Sequence, residues 1–227
     1  MRQSAFSWNV FWGAAVVVLL AGCATESNRT IEPKKVASAG TVYTSPKCTL
    51  AVGNFENRSS YMRGLFSDGA DRLGGQAKTI LVGDLQQTGR FNLVDRGNMD
   101  KIAREANIQG KQQKIRGADY VVTGQVTEFG RKETGDVQLF GLLGASKHQV
   151  AYAKVTLNVV DVLSSAVVYS VQGAGEYQLS NREVVGFGGV SGYDSTLNGK
   201  VLDLAVREAI NRLVDGVESG TWKPVKD

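Results

Sequence analysis

The sequence predicts an α/β fold, a mixed sheet backed by helices, and two observations carry that reading. Short runs that alternate apolar and polar residues and end on turn formers mark strands; between them lie stretches with an apolar residue every three or four positions, the mark of one-sided helices. Taken in order the segments read β-α-β-α-β-β-β-α, and strands interleaved with helices make a sheet with helices packed on it.

Each element has its own signal. Cys48 to Phe55 alternates and ends on polar turn residues, which predicts a first strand; a loop from Glu56 to Asp68 follows. From about Gly69 to Gln87 the residues Leu73, Ala77, Ile80, Leu81 and Leu85 fall on one helical face, and Thr88-Gly89 supplies the stop. Phe91 to Val94 is a short strand. Asn98 to Ala106 is a second helix, with Ile102 and Ala106 expected inward. Asp119 to Phe129 is rich in β-formers, and Val150–Val162 and Val167–Leu179 are long strands joined by Leu163-Ser164-Ser165-Ala166. The last helix, about Asn198 to Val217, lines up Leu202, Ala205, Ala209, Leu213 and Val217, with Gly220 after its end.

Ahead of these elements, Arg2 precedes an apolar run from Phe11 to Leu20, followed by Ala21, Gly22 and Cys23. That is the layout of an export leader, and the run is shorter than the roughly 20 apolar residues that span a bilayer. Leu20-Ala21-Gly22-Cys23 resembles the bacterial lipobox, which implies cleavage between Gly22 and Cys23 and lipid on the Cys23 thiol. Ala24 in place of Asp resembles the outer-membrane sorting signal, and two or three acyl chains anchor stably where one is marginal. The expected layout is a signal peptide over 1–22, a lipidated flexible tether over 23–45 and an α/β domain over 46–227.

Charge and chemistry exclude several classes. The formal net charge is +4, or +3 once Arg2 leaves with the leader, and no basic stripe interleaved with aromatics appears, so no nucleic acid is expected. Cys48 is alone once Cys23 is lipidated, and is expected to be a buried small hydrophobe. His148 is the single histidine and is expected to be solvated or interfacial rather than catalytic; with Cys48 it offers no zinc spacing. Gly186 to Gly192 lacks the Lys-Ser/Thr ending of a phosphate loop, and Asp95-Arg96 reads as an exposed pair. Neither an enzymatic activity nor a cofactor is expected.

Two regions do not read as simple core strands. Val167 to Leu179 has two faces, Glu183 to Tyr193 mixes Val184, Val185, Phe187 and Val190 with glycines, and a second hairpin lies in about 126–150, turning near Thr134-Gly135-Asp136. Two readings stand side by side: soluble hairpins with one face on the core, or membrane hairpins, since about 9–11 alternating residues cross a bilayer. On the second, Leu139, Phe140, Val171, Tyr177 and Phe187 are the candidate membrane-facing residues, and the hairpins at about 126–150 and 171–195 must join an oligomer, because so few strands close no pore.

Several blocks in order resemble the CsgG family, the curli production assembly/transport components. They are Leu81–Arg96, Ala118–Val126, Phe140–Ala145, Ala153–Val162 and Val214–Trp222, beside the lipobox. The resemblance implies an outer-membrane lipoprotein, a homo-oligomer whose hairpins form a shared β-barrel over a periplasmic α/β vestibule, and secreted or assembly proteins as partners. It places the pore constriction in the loop at Glu56–Asp68, where Tyr61 and Phe66 are the aromatic candidates. A non-channel periplasmic lipoprotein acting as a protein-interaction module, similar to the activators of peptidoglycan synthases, is the competing reading.

Overall fold

The computed structural model describes residues 33–61, 71–137, 145–183 and 197–224. The chain divides after Lys34 into two compact units, and every described helix and strand lies in the second, Lys35–Asp227. The elements are β1 (Thr49–Asn57), α1 (Arg72–Thr88), β2 (Asn92–Val94), α2 (Met99–Ile108), β3 (Tyr120–Val137), β4 (Ala145–Asp161), β5 (Val167–Glu183) and α3 (Leu197–Glu218). They follow the expected order. The sheet runs β2-β1-β3-β4-β5, with β1 parallel to both neighbours and β3-β4-β5 antiparallel.

α1 and α3 cover one face of this sheet. Asp71 starts α1: one carboxylate oxygen accepts from the Gly74 amide at 2.7 Å, and the other accepts from the Asn57 amide at 2.6 Å, tying the helix to the end of β1. Gly89 ends it with φ at +63°, a conformation that favours glycine. The apolar face of α1 buries Leu73, Ala77, Leu81 and Leu85, and α3 buries Val201, Leu202, Ala205, Val206, Ala209, Ile210 and Leu213. Beneath them lie Leu50, Val122, Val126, Val155, Leu157 and Val159. Full burial of a side chain of this size is worth about 1.5–3 kcal/mol, so these two helix faces dominate the stability of the domain.

α3 approaches β5 unusually closely, because the strand has no side chain at two successive inward positions. A β-carbon at Gly173 would stand 2.9 Å from Ala209 Cα, and closer still to the Ala205 carbonyl oxygen and the Ala209 amide nitrogen. One at Gly175 would meet Leu204 Cβ at 2.7 Å and Ala205 N at 2.9 Å. Small residues on both sides therefore set the distance between helix and sheet. At the other end of α3, Trp222 stacks on Tyr169 (5.7 Å between ring centroids) and meets Tyr120 edge-on (5.4 Å), closing the core.

Three expectations change. Ile102 and Ala106 do not face inward: α2 has no buried residue, and Ile102 is 45% exposed. The 3.6-residue period gave the helix an apolar side, but no strand or helix of the described fold packs closely against it. Thr134-Gly135-Asp136 is not a turn, since these residues stay in the β3 ladder opposite His148, Lys147 and Ser146. Continuing cross-strand bonds override the local turn signal. The segment expected to be tether over 23–45 is not polar linker throughout, because Val36 is 3% exposed in the core and Ser38 is also buried.

Candidate functional site

Four places carry features that ordinary packing does not require. The first is the strap from Val36 to Thr41. The Ala37 amide donates to Asn211 Oδ1 at 3.0 Å, and the buried Arg90 fastens the strap to the body. Arg90 Nη1 donates to the carbonyls of Thr41 (3.1 Å) and Thr88 (2.9 Å), Nη2 to Thr41 Oγ1 (2.6 Å), and Nε and Nη2 to Glu218 Oε1 (2.8 and 2.6 Å). One guanidinium thus joins the strap, the α1–β2 turn and the end of α3. A groove of about 490 Å³ runs between strap and α3, lined among others by Tyr43, Arg90, Asn211 and Asp215. Arg90 was not singled out from sequence; its signal was a charged residue wedged between a helix stop and a strand.

The second is the extension of β3, β4 and β5 beyond the helices. Register sets Arg131, Ala151 and Tyr177 in the last row that packs on the core, and the extension begins with Lys132, Val150 and Gln178 and ends with Val137, Ala145 and Glu183. At about 3.4 Å per residue this ribbon is roughly 17–20 Å long, shorter than the apolar band of a membrane barrel at about 25 Å. Alternate rows belong to opposite faces of a sheet, and Lys132 is exposed at its base.

The third is a cleft of about 210 Å³ where α2 meets the segment returning to β3, lined by Asp95, Arg96, Met99, Ile102, Gln113, Lys114, Ile115 and Arg116. Arg96 Nη2 donates to the Arg116 carbonyl at 2.5 Å, holding the walls together. Asp95 is turned onto its own chain: Oδ1 accepts from the Gly97 and Asn98 amides, and Oδ2 from Asn98 Nδ2 at 2.6 Å. These bonds, that from the Asn98 side chain first, hold its carboxyl below the usual carboxylate range. The Asp95-Arg96 pair is thus a positioning device for the start of α2.

The fourth is a buried polar contact between α1 and α3. Arg207 pairs with Asp203 and lies 3.9 Å (Nε to Oδ2) from the buried Asp84. Both of those facing atoms lack a hydrogen-bond partner, and burial pushes the Asp84 carboxyl up to about 6 against the pull of Arg207.

Comparison with known proteins decides the family. Residues 32–226 match the family described as curli production assembly/transport component CsgG. The chain belongs to that family. A Neisseria meningitidis serogroup B protein named "Putative lipoprotein" is 62% identical over 211 residues, covering 93% of this CsgG-family chain and 95% of the relative. Among solved structures, the PelC dodecamer from Paraburkholderia phytofirmans is similar at a TM-score of 0.35 and 18% identity, covering 73% of this chain and 87% of that one. The LpoB C-terminal domain from Salmonella enterica gives a TM-score of 0.31 at 15% identity, covering 60% and 86%.

Of the residues the sequence singled out, Gly22, Cys23, Phe66, Leu139, Phe140 and Phe187 lie outside the described residues. Val171 is not membrane-facing but 8% exposed in the core beneath α3, because the odd-numbered face of β5 is the one the helix covers. Tyr177 is corrected likewise: it packs against the core, with Lys200 Nζ 5.3 Å from its ring centroid. Tyr61 lies against Phe129 at 4.7 Å, and its hydroxyl accepts from Asn198 Nδ2 at 3.2 Å, so it caps the sheet within this chain. Cys48 is buried, and burial pushes its thiol up to about 12.

Proposed function

We propose that this CsgG-family chain is a lipoprotein, held in the outer membrane by lipid on Cys23, that assembles with copies of itself as a component for protein export or surface assembly. The family match over residues 32–226 carries this reading, and the name of the Neisseria relative supports the lipid. The role given to it is binding and positioning, with no catalytic step. Extraction of the lipidated protein in mild detergent, followed by light scattering and negative-stain imaging, is expected to reveal a discrete multimer. A single-copy species at all concentrations overturns the reading. Cys23→Ser is expected to release the chain from the membrane fraction.

A second point concerns the hairpins. Val171 and Tyr177, two of the residues expected to face lipid, pack on the core instead, which favours strands that stand in water over ones that face lipid. This supports the non-channel form of the assembly. Planar bilayers carrying the purified multimer are expected to remain closed, and stable unitary conductance steps would restore the channel.

A further inference from the structure

The α2 arm is the one helical part of the described fold with an apolar side and no buried residue. Its cleft is lined by the apolar Met99, Ile102 and Ile115, with Ile102 and Ile115 themselves exposed, and by a basic rim of Arg96, Lys114 and Arg116. Small-molecule sites run to about 300–1,000 Å³. At about 210 Å³ this one is sized for a single large side chain. Since Asp95 spends its oxygens on Gly97 and Asn98, the rim favours an occupant that brings a carboxylate of its own beside an apolar tip.

The chain carries such a tip. In the turn between β4 and β5, Leu163 is 86% exposed, flanked by the exposed Val162 and Val167. Asp161 Oδ1 fixes the turn by accepting from the amides of Leu163 (3.1 Å) and Ser164 (2.7 Å) and from Ser164 Oγ (2.7 Å), which leaves Oδ2 for an outside donor. A tip held rigid before contact loses little freedom on docking. Tip and cleft lie at the same end of the sheet, since the Val162 amide donates to the Asp119 carbonyl at 3.2 Å, three residues past the cleft's Arg116, yet Leu163 stays exposed and does not fill the cleft of its own chain.

We infer that Leu163 of one copy seats among Met99, Ile102 and Ile115 of the next, with Asp161 facing Lys114 and Arg116. The inference rests on the proposed homo-oligomer and specifies its contact. A tip seated in the cleft of the next copy can repeat head to tail, and the repetition closes a ring when the rotation allows. Burying a leucine on assembly gives about 1.5–3 kcal/mol, or roughly 10- to 100-fold in affinity.

The test uses the full lipidated chain in detergent. Leu163→Cys and Ile115→Cys are made separately, mixed and mildly oxidised; a disulfide-linked pair is expected from the mixture and none from either variant alone. Leu163→Asp and Ile115→Asp are each expected to raise the half-assembly concentration at least about tenfold, with unchanged unfolding midpoints because both sites are exposed. If the wild type assembles while the mixture gives no link and the Asp variants assemble normally, this contact is wrong and the oligomer survives. A cleft that instead binds a synthetic acidic peptide with a leucine anchor, with assembly unaffected, also overturns it. If the wild type is a single copy, the oligomer reading fails and this contact fails with it.

Discussion

Gly173→Ala tests how the helical layer sits on the sheet. The added β-carbon would meet the Ala205 carbonyl oxygen, the Ala209 amide nitrogen and Ala209 Cα, all of them α3 backbone. No rotamer change relieves such a contact, so α3 must lift. Separating packed surfaces by 0.5–1 Å already forfeits about a quarter to a half of each dispersion contact, and the lifted face is the one that buries Val201, Leu202, Ala205, Val206, Ala209, Ile210 and Leu213. Overpacking typically costs about 1–3 kcal/mol; with backbone on the other side the upper end is expected, about 3 kcal/mol. In a domain of this size that lowers the melting temperature by roughly 6–12 °C. Urea unfolding followed by circular dichroism measures it. Ala209→Gly should not rescue the variant, because it removes none of the three obstructing atoms. Gly83→Ala is the control: it lies in α1 with nothing within 4 Å of the new carbon, and should gain up to about 1 kcal/mol. A Gly173→Ala protein within about 0.5 kcal/mol of wild type would show that α3 does not rest on β5 as described.

Three further outcomes are expected. The folded-state pKa of Asp84, about 6 against an ordinary 3.8, means folding favours its protonated form, so its contribution is fully present below about pH 4 and is lost as pH rises through 6. Relative to Asp84→Asn, wild type should lose up to roughly 3 kcal/mol between pH 4 and 8, read by urea unfolding at each pH; parallel pH profiles would count against it. Arg90→Ala should cost about 3 kcal/mol, since it removes several charge-assisted bonds, and limited proteolysis should then cut first near Val36–Thr41. Cys48 should resist maleimide at pH 8 in the folded protein and react promptly in urea, because burial disfavours its thiolate.

Most of the fold could be read from periodicity because the core is built the simple way. Leu73, Ala77, Leu81 and Leu85, and Leu202, Ala205, Ala209 and Leu213, are buried on the predicted faces. What periodicity does not encode is which apolar side finds a partner: the stripe through Ile102 satisfies the same rule as that through Leu81, yet no described element closes over α2. Nor does a residue's usual preference report long-range bonding. Gly135 reads as a turn until the β4 ladder is paired against it, and Gly173 reads as flexibility when its use is close approach. The candidate site was least legible, since Arg90 gathers partners up to 128 positions away and no local pattern announces that.

The fastening of the strap has a mechanical consequence. Under the proposed lipid anchor, the chain is tugged from its N-terminal side whenever membrane and body move apart. Such a pull reaches the domain at Val36 and passes through Thr41 into Arg90, which shares it between the α1–β2 turn and Glu218 at the end of α3. The load would meet the buried Val36, the Ala37–Asn211 bond and the Arg90 bonds before it reached β1, so the sheet would stay folded until those fastenings let go.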